Sequence, residues 1–294
     1  MSLRDRGYKP YEGAHTPLAG RWTVVLRHTL RMTAKQAWVL SILIISGFPV
    51  LVWAALIFFK AYGFVQSTPD LQGSEGVVDP GQYVFLFLAK WYGVPLQAFL
   101  MAMFAGGGAI ADDSRNNAFQ FYFSRPLSRE QYLVGKVLAV VLLVAFVSLV
   151  PAVLLAIVRI ALSHDGADLT RQLWHLPRAL ALGTLEALVL GVPVVALSSL
   201  SKGRGYAQAA FAGLFLLPWV IGDVFVWMFR SPWPALLSVP AQLESVGAVI
   251  FSYHFADGDR PLPWPAAVAV MVVMVVSSIA LLRARLATAE VVAG

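Results

Sequence analysis

The sequence predicts an all-α integral membrane protein with six transmembrane helices, both termini cytoplasmic, an amphipathic interfacial helix near the N-terminus and short re-entrant or interfacial outer helices before the sixth span. Three observations carry this. The chain is 59% hydrophobic and only 13% charged, with a mean hydropathy of +0.71, whereas soluble domains carry about 25% charged residues. Its apolar residues come in blocks near the roughly 20 that a helix needs to cross a bilayer, and a helix satisfies its own backbone there. The short alternating segments of a membrane barrel are absent from the sequence. Finally, 15 of the 22 Lys and Arg residues fall on one side when the spans are threaded alternately, and basic residues near spans stay cytoplasmic.

Residues 1–36 form a polar leader, retained rather than cleaved, because the first apolar run is too long for a signal peptide. Within it Leu18 to Gln36 suits a helix in the headgroup plane, with Trp22, Leu26 and Leu30 on one stripe and Arg27, Arg31 and Lys35 on another. That stripe serves either as ordinary snorkelling cations or as a second contact for an ATPase. Residues 37–294 form the transmembrane domain. Its predicted spans are Ala37 to Phe59, Tyr83 to Ala111, Tyr132 to Leu162, Leu176 to Leu200, Tyr206 to Phe229 and Trp264 to Leu282. Ala61 to Gln82 reads as an irregular outer loop. Ala235 to Phe251, interrupted by Pro240 and Glu244, is too short to cross and suits re-entrant or interfacial helices, with Trp227, Trp233 and Trp264 at the outer headgroups.

The segment 112–136 stands apart, charged and aromatic between two apolar runs. Asp112, Asp113 and Ser114 can open a short helix with acids at its positive end. Phe119, Tyr122 and Phe123 then form one aromatic face, suited to a partner's groove, and Asn117, Gln120 and Ser124 a polar one. Pro126 disfavours helix at Arg125. Ser128-Arg129-Glu130-Gln131 is a capping box that starts the next helix. Upstream, Gly106-Gly107-Gly108 permits either close helix approach or a kink.

Signals for catalysis are weak. Val134-Gly135-Lys136 ends in Val137, where a phosphate-binding loop needs Ser or Thr, so ATP hydrolysis by this chain is not expected. The five His are scattered, there is no Cys, and no G-x-S-x-G elbow occurs. No catalytic, cofactor or metal residues are assigned. The net charge of +6 follows from the loop asymmetry and calls for no nucleic acid. Glu186 lies deep in the fourth span, where an isolated charge is costly. With Arg159 it makes either an interhelical clasp or part of a polar substrate path.

The stretch from Asp112 through Ser124-Arg125-Pro126-Leu127-Ser128-Arg129 to Gly135-Lys136 resembles the inner loop of ABC-2 type permeases, the membrane subunits of ATP-binding cassette exporters. Six spans with both termini inside fit the same family. The resemblance implies that the loop is a coupling helix docking on a separate cytoplasmic ATPase. Asp112 or Asp113 would match the acidic start, and Arg125, Pro126, Ser128, Arg129 and Lys136 the signature that follows. ATP and Mg would sit on the partner ATPase, not on this chain. The permease would act as a homodimer or beside a related chain in a bacterial inner membrane, exporting a substrate. The alternative is a mechanotransmission or scaffold subunit that acts on a periplasmic partner without moving cargo. An intramembrane enzyme would need converging His, Ser or acid groups that the sequence does not display.

Overall fold

The computed structural model describes residues 20–61, 94–123, 127–162, 166–253 and 262–287. Among them every regular element is helical. In chain order these are α1 (Trp22–Ala34), α2 (Ala37–Ala61), α3 (Val94–Gly106), α4 (Ala111–Arg115), α5 (Ala118–Phe123), α6 (Arg129–Ala161), α7 (Gly166–Leu173), α8 (His175–Leu200), α9 (Arg204–Phe229), a 3-10 turn (Trp233–Leu237), α10 (Val239–Phe251) and α11 (Trp264–Ala287). Five of them, α2, α6, α8, α9 and α11, are long and apolar enough to cross a membrane.

The antiparallel pair α6 and α8 forms the centre. Gly183 and Gly191 lie on one face of α8, and a Cβ at either would press on Leu149 or Val141 of α6. Small residues at this spacing let the two backbones approach, which is what packs helices where lipid removes the hydrophobic drive. α3 lies beside both, with Gly106 under Val194 of α8 and Phe99 stacked at 5.3 Å on Phe211 and 4.7 Å from Phe215 of α9. By contrast α2, α9 and α11 bury only 18%, 17% and 22% of their apolar windows, so they are the outer helices of the bundle. Their exposed faces carry residues such as Phe48, Leu217 and Val273.

Helix boundaries follow local chemistry. Ser128 accepts from the Gln131 amide at 3.2 Å while the Gln131 side chain accepts from the Ser128 amide at 3.2 Å, the reciprocal cap that starts α6. At 33 residues α6 rises about 50 Å, well beyond the roughly 30 Å of a hydrocarbon core. Its charged residues Arg129, Glu130 and Lys136 gather in the first turns, and Arg159 in the last. Ser238 caps α10 through the Ala241 amide.

The element that departs most from expectation is the second predicted span. Its residues 83–93 lie outside the described ones, and the helix stops at Gly106 in a turn over 107–110 instead of running to Ala111. The predicted loop helix is likewise divided, into α4 and α5, around Asn117 at φ 52°. Asn tolerates that left-handed conformation better than most residues. α7 fills the stretch between the predicted third and fourth spans.

A polar joint ties the base together. Arg204, at the start of α9, donates to the Phe104 carbonyl at 3.0 Å and to Gln36 Oε1 at 3.4 Å, and lies 5.6 Å over the Trp38 ring. Trp38 in turn donates to Gln36 and packs on Phe104. Arg204→Ala should cost about 1–3 kcal/mol in thermal or denaturant unfolding, and Lys should restore only part of it, because a single ammonium lacks the planar pair of nitrogens that spans the two acceptors and stacks on Trp38. Unfolding unchanged in Arg204→Ala would show the joint to be dispensable.

Candidate functional site

The short hairpin α4–α5 is held from two sides. On one, the Ser198 hydroxyl of α8 accepts from the amides of Ile110 at 3.1 Å and Ala111 at 3.0 Å and donates to the Gly107 carbonyl at 2.9 Å. The turn over 107–110 breaks the helical ladder, and this one fully buried hydroxyl supplies three of the bonds it loses. On the other side, Asp113 Oδ2 pairs with Lys136 Nζ at 2.7 Å and accepts from the Tyr132 hydroxyl at 2.6 Å. Both cationic and phenolic partners stand on successive turns of α6, which places them on one face.

Aromatic rings close over this pair. Phe119 meets Tyr132 edge-on at 5.7 Å and Tyr122 lies 5.1 Å from the same ring. Lys136 sits 5.9 Å from the Tyr122 centroid and 5.7 Å from that of Tyr132, within reach of cation–π attraction. Burial, and then the charge of Asp113, push the Tyr122 phenol up to about 12, so it stays neutral at physiological pH. Lys136 is itself buried. Because the ammonium is paired and ringed, neither charge is stranded, whereas removing one partner would leave the other costly.

The aromatic face predicted to fill a partner's groove is therefore turned partly inward: Phe119 and Tyr122 are half-buried against α6. Among the described side chains of the hairpin, the exposed ones are Ser114, Arg115, Asn116, Asn117 and Gln120. Asp112 is half-buried beside Gly108. Phe123 closes α5, and Arg125 and Pro126 lie outside the described residues. Ser128 caps α6. Arg129 donates to the Ala287 carbonyl at 2.9 Å, and its neighbour Glu130 stands 3.5 Å from Arg283. These contacts flank a cavity of about 270 Å³ between the base of α6 and the end of α11, floored by Leu133 and Leu286.

The leader helix joins the same base. α1 turns Val25, Thr29 and Thr33 inward, leaving Arg27, Arg31 and Lys35 exposed. Its contact with α6 passes over Gly135, where a Cβ would lie 2.7 Å from Val25 Cβ and 2.8 Å from the Trp22 carbonyl oxygen. Sequence reading missed Tyr132, Ser198 and Gly135 as site residues. Tyr132 had a signal, since it follows the capping box on the turn before Lys136; a serine at the end of an apolar helix gives none.

The predicted pairing of Arg159 with Glu186 is not formed among the described residues. The register explains why. Gly183 meets Ser148 and Leu149, so Glu186 lies level with Ser148, its polar neighbour. Arg159 is about three turns further along α6, roughly 16 Å of rise, beyond the reach of its side chain. Both residues are buried, Glu186 at 2% exposure.

No cluster of His, Asp or Glu among the described residues could hold a metal ion. The sequence matches no family model and no curated protein. What the geometry offers is a short hairpin fixed to the base of the central helix pair.

Proposed function

We propose that this chain is the permease subunit of an ATP-driven transporter of the ABC-2 type, with six crossings, both termini in the cytoplasm and the α4–α5 hairpin docking on a separate ATPase that binds ATP and Mg. The observation that carries this reading is the hairpin itself. Its acid and the lysine that ends the family-like stretch meet in an ion pair at 2.7 Å, and this fixes a short hairpin on which Ser114, Arg115, Asn116, Asn117 and Gln120 are exposed. A hairpin presented in that way suits transfer of rigid-body motion from a partner. The basic residues of α1 and of the α6 base, all at the hairpin end, support the cytoplasmic assignment. A second copy or a related chain completes the assembly on this reading, and a substrate is exported.

The test is purification of the chain in mild detergent with an ATP-hydrolysing partner, followed by Arg115→Glu and Gln120→Arg together. Both side chains are exposed, so the hairpin itself should survive. Association should weaken by about tenfold or more, as for central interface contacts, with membrane insertion unchanged. Undiminished association would remove the hairpin from the interface. ATP-dependent binding to a periplasmic protein without movement of any cargo would favour the force-transmitting scaffold.

A further inference from the structure

The hairpin has two covalent neighbours, α3 and α6, and its non-covalent fixings are unequal between them. Toward α3 the connection is the turn over 107–110, which interrupts the helix and so interrupts the stiff rod that could carry force. Toward α6 it is the ion pair of Asp113 with Lys136, the hydrogen bond from Tyr132 and the ring contacts of Phe119 and Tyr122. The turn itself is bonded to Ser198 of α8, the helix packed most closely on α6 through Gly183 and Gly191. α1 rides on the same base over Gly135.

We infer that Asp113, Tyr132 and Lys136 are positioning residues that lock the hairpin to the base of α6, so that a push on the hairpin is delivered to the packed α6–α8 pair. This rests on the proposed coupling role for its purpose, but the lock is a property of the isolated chain. Lys136 contributes charge at the one point where Asp113 and both tyrosine rings converge.

The chain contains no cysteine, so introduced cysteines can be spin-labelled without background. Gln120→Cys with Val134→Cys reports hairpin against α6, and Val134→Cys with Leu188→Cys reports α6 against α8; all three positions are exposed. In the full chain in lipid nanodiscs each pair should give a single narrow distance. Lys136→Met and Asp113→Asn should each raise the undocked hairpin population by about tenfold, seen as a second, longer Gln120–Val134 distance. Lys136→Arg, which keeps the charge, should retain the single distance, and the Val134–Leu188 distance should not change in any variant. A single unchanged hairpin distance in both Lys136→Met and Asp113→Asn would overturn the lock. So would equal broadening of the α6–α8 distance, which would make the pair a general stabiliser of the fold. Failure to bind any ATP-hydrolysing chain would end the permease reading and leave these distances standing.

Discussion

Ser198→Ala will destabilise the protein by about 3 kcal/mol, the largest effect expected from removing one atom of this chain. The hydroxyl is fully buried and has three partners, the amides of Ile110 and Ala111 and the carbonyl of Gly107. A single hydrogen bond contributes only about 0.5–1.5 kcal/mol net, but a buried group left without a partner costs about 1–3 kcal/mol, and here three are stranded together. Relaxation of the turn or entry of water recovers part of that, which is why the sum is set near 3 and not higher. Ser198→Thr keeps the hydroxyl and should recover most of the loss if the added methyl fits. Reversible unfolding in detergent, followed by denaturant titration of all three proteins, measures this. A loss under about 1 kcal/mol in Ser198→Ala would mean that the turn is held by other bonds.

The turn also marks where sequence reading reached its limit. Hydropathy along 94–111 is nearly uniform and predicts a span through Gly106 and Ile110 to Ala111, although the helix gives way to a turn there. Three consecutive glycines permitted a kink without requiring one. The capping box at Ser128 was fully legible because both of its bonds are local. α1 was legible as a helix, but the face it buries against α6 is Val25, Thr29 and Thr33, beside the expected stripe of Trp22, Leu26 and Leu30. The lock was half legible. Asp113 and Lys136 stood out as motif residues, yet nothing in their separation along the chain says that they face each other and not a partner. Glu186 and Arg159 do not meet for a related reason: their levels are set by where Gly183 and Gly191 seat α8 on α6, which depth from a span boundary does not give. Tertiary register is not written in the hydropathy of either helix.

Gly135→Val will release α1 from the base of α6. The Cβ position lies 2.8 Å from the Trp22 carbonyl oxygen and 2.7 Å from Val25 Cβ, so the obstacle includes backbone, which cannot turn aside as a flexible side chain can. Ala and Val separate the opposing terms. Gly135→Ala gains up to about 1 kcal/mol of helix propensity within α6, against an overpacking cost of about 1–3 kcal/mol; the clash should prevail by a small margin. Val adds a branched side chain that brings no comparable propensity gain, and its loss should reach the upper part of that range. Because α1 is the element that must move, hydrogen exchange of residues 22–34 should accelerate by about tenfold or more in Gly135→Val while the middle of α6 keeps its protection. Equal protection of α1 in parent and variant would mean that the leader helix is held by something other than its close approach to this glycine. On the proposed function the same variant should leave the Asp113–Lys136 lock in place, so that ATPase association persists while any contribution of α1 to transport is lost. That separation would distinguish the leader's docking from the hairpin's.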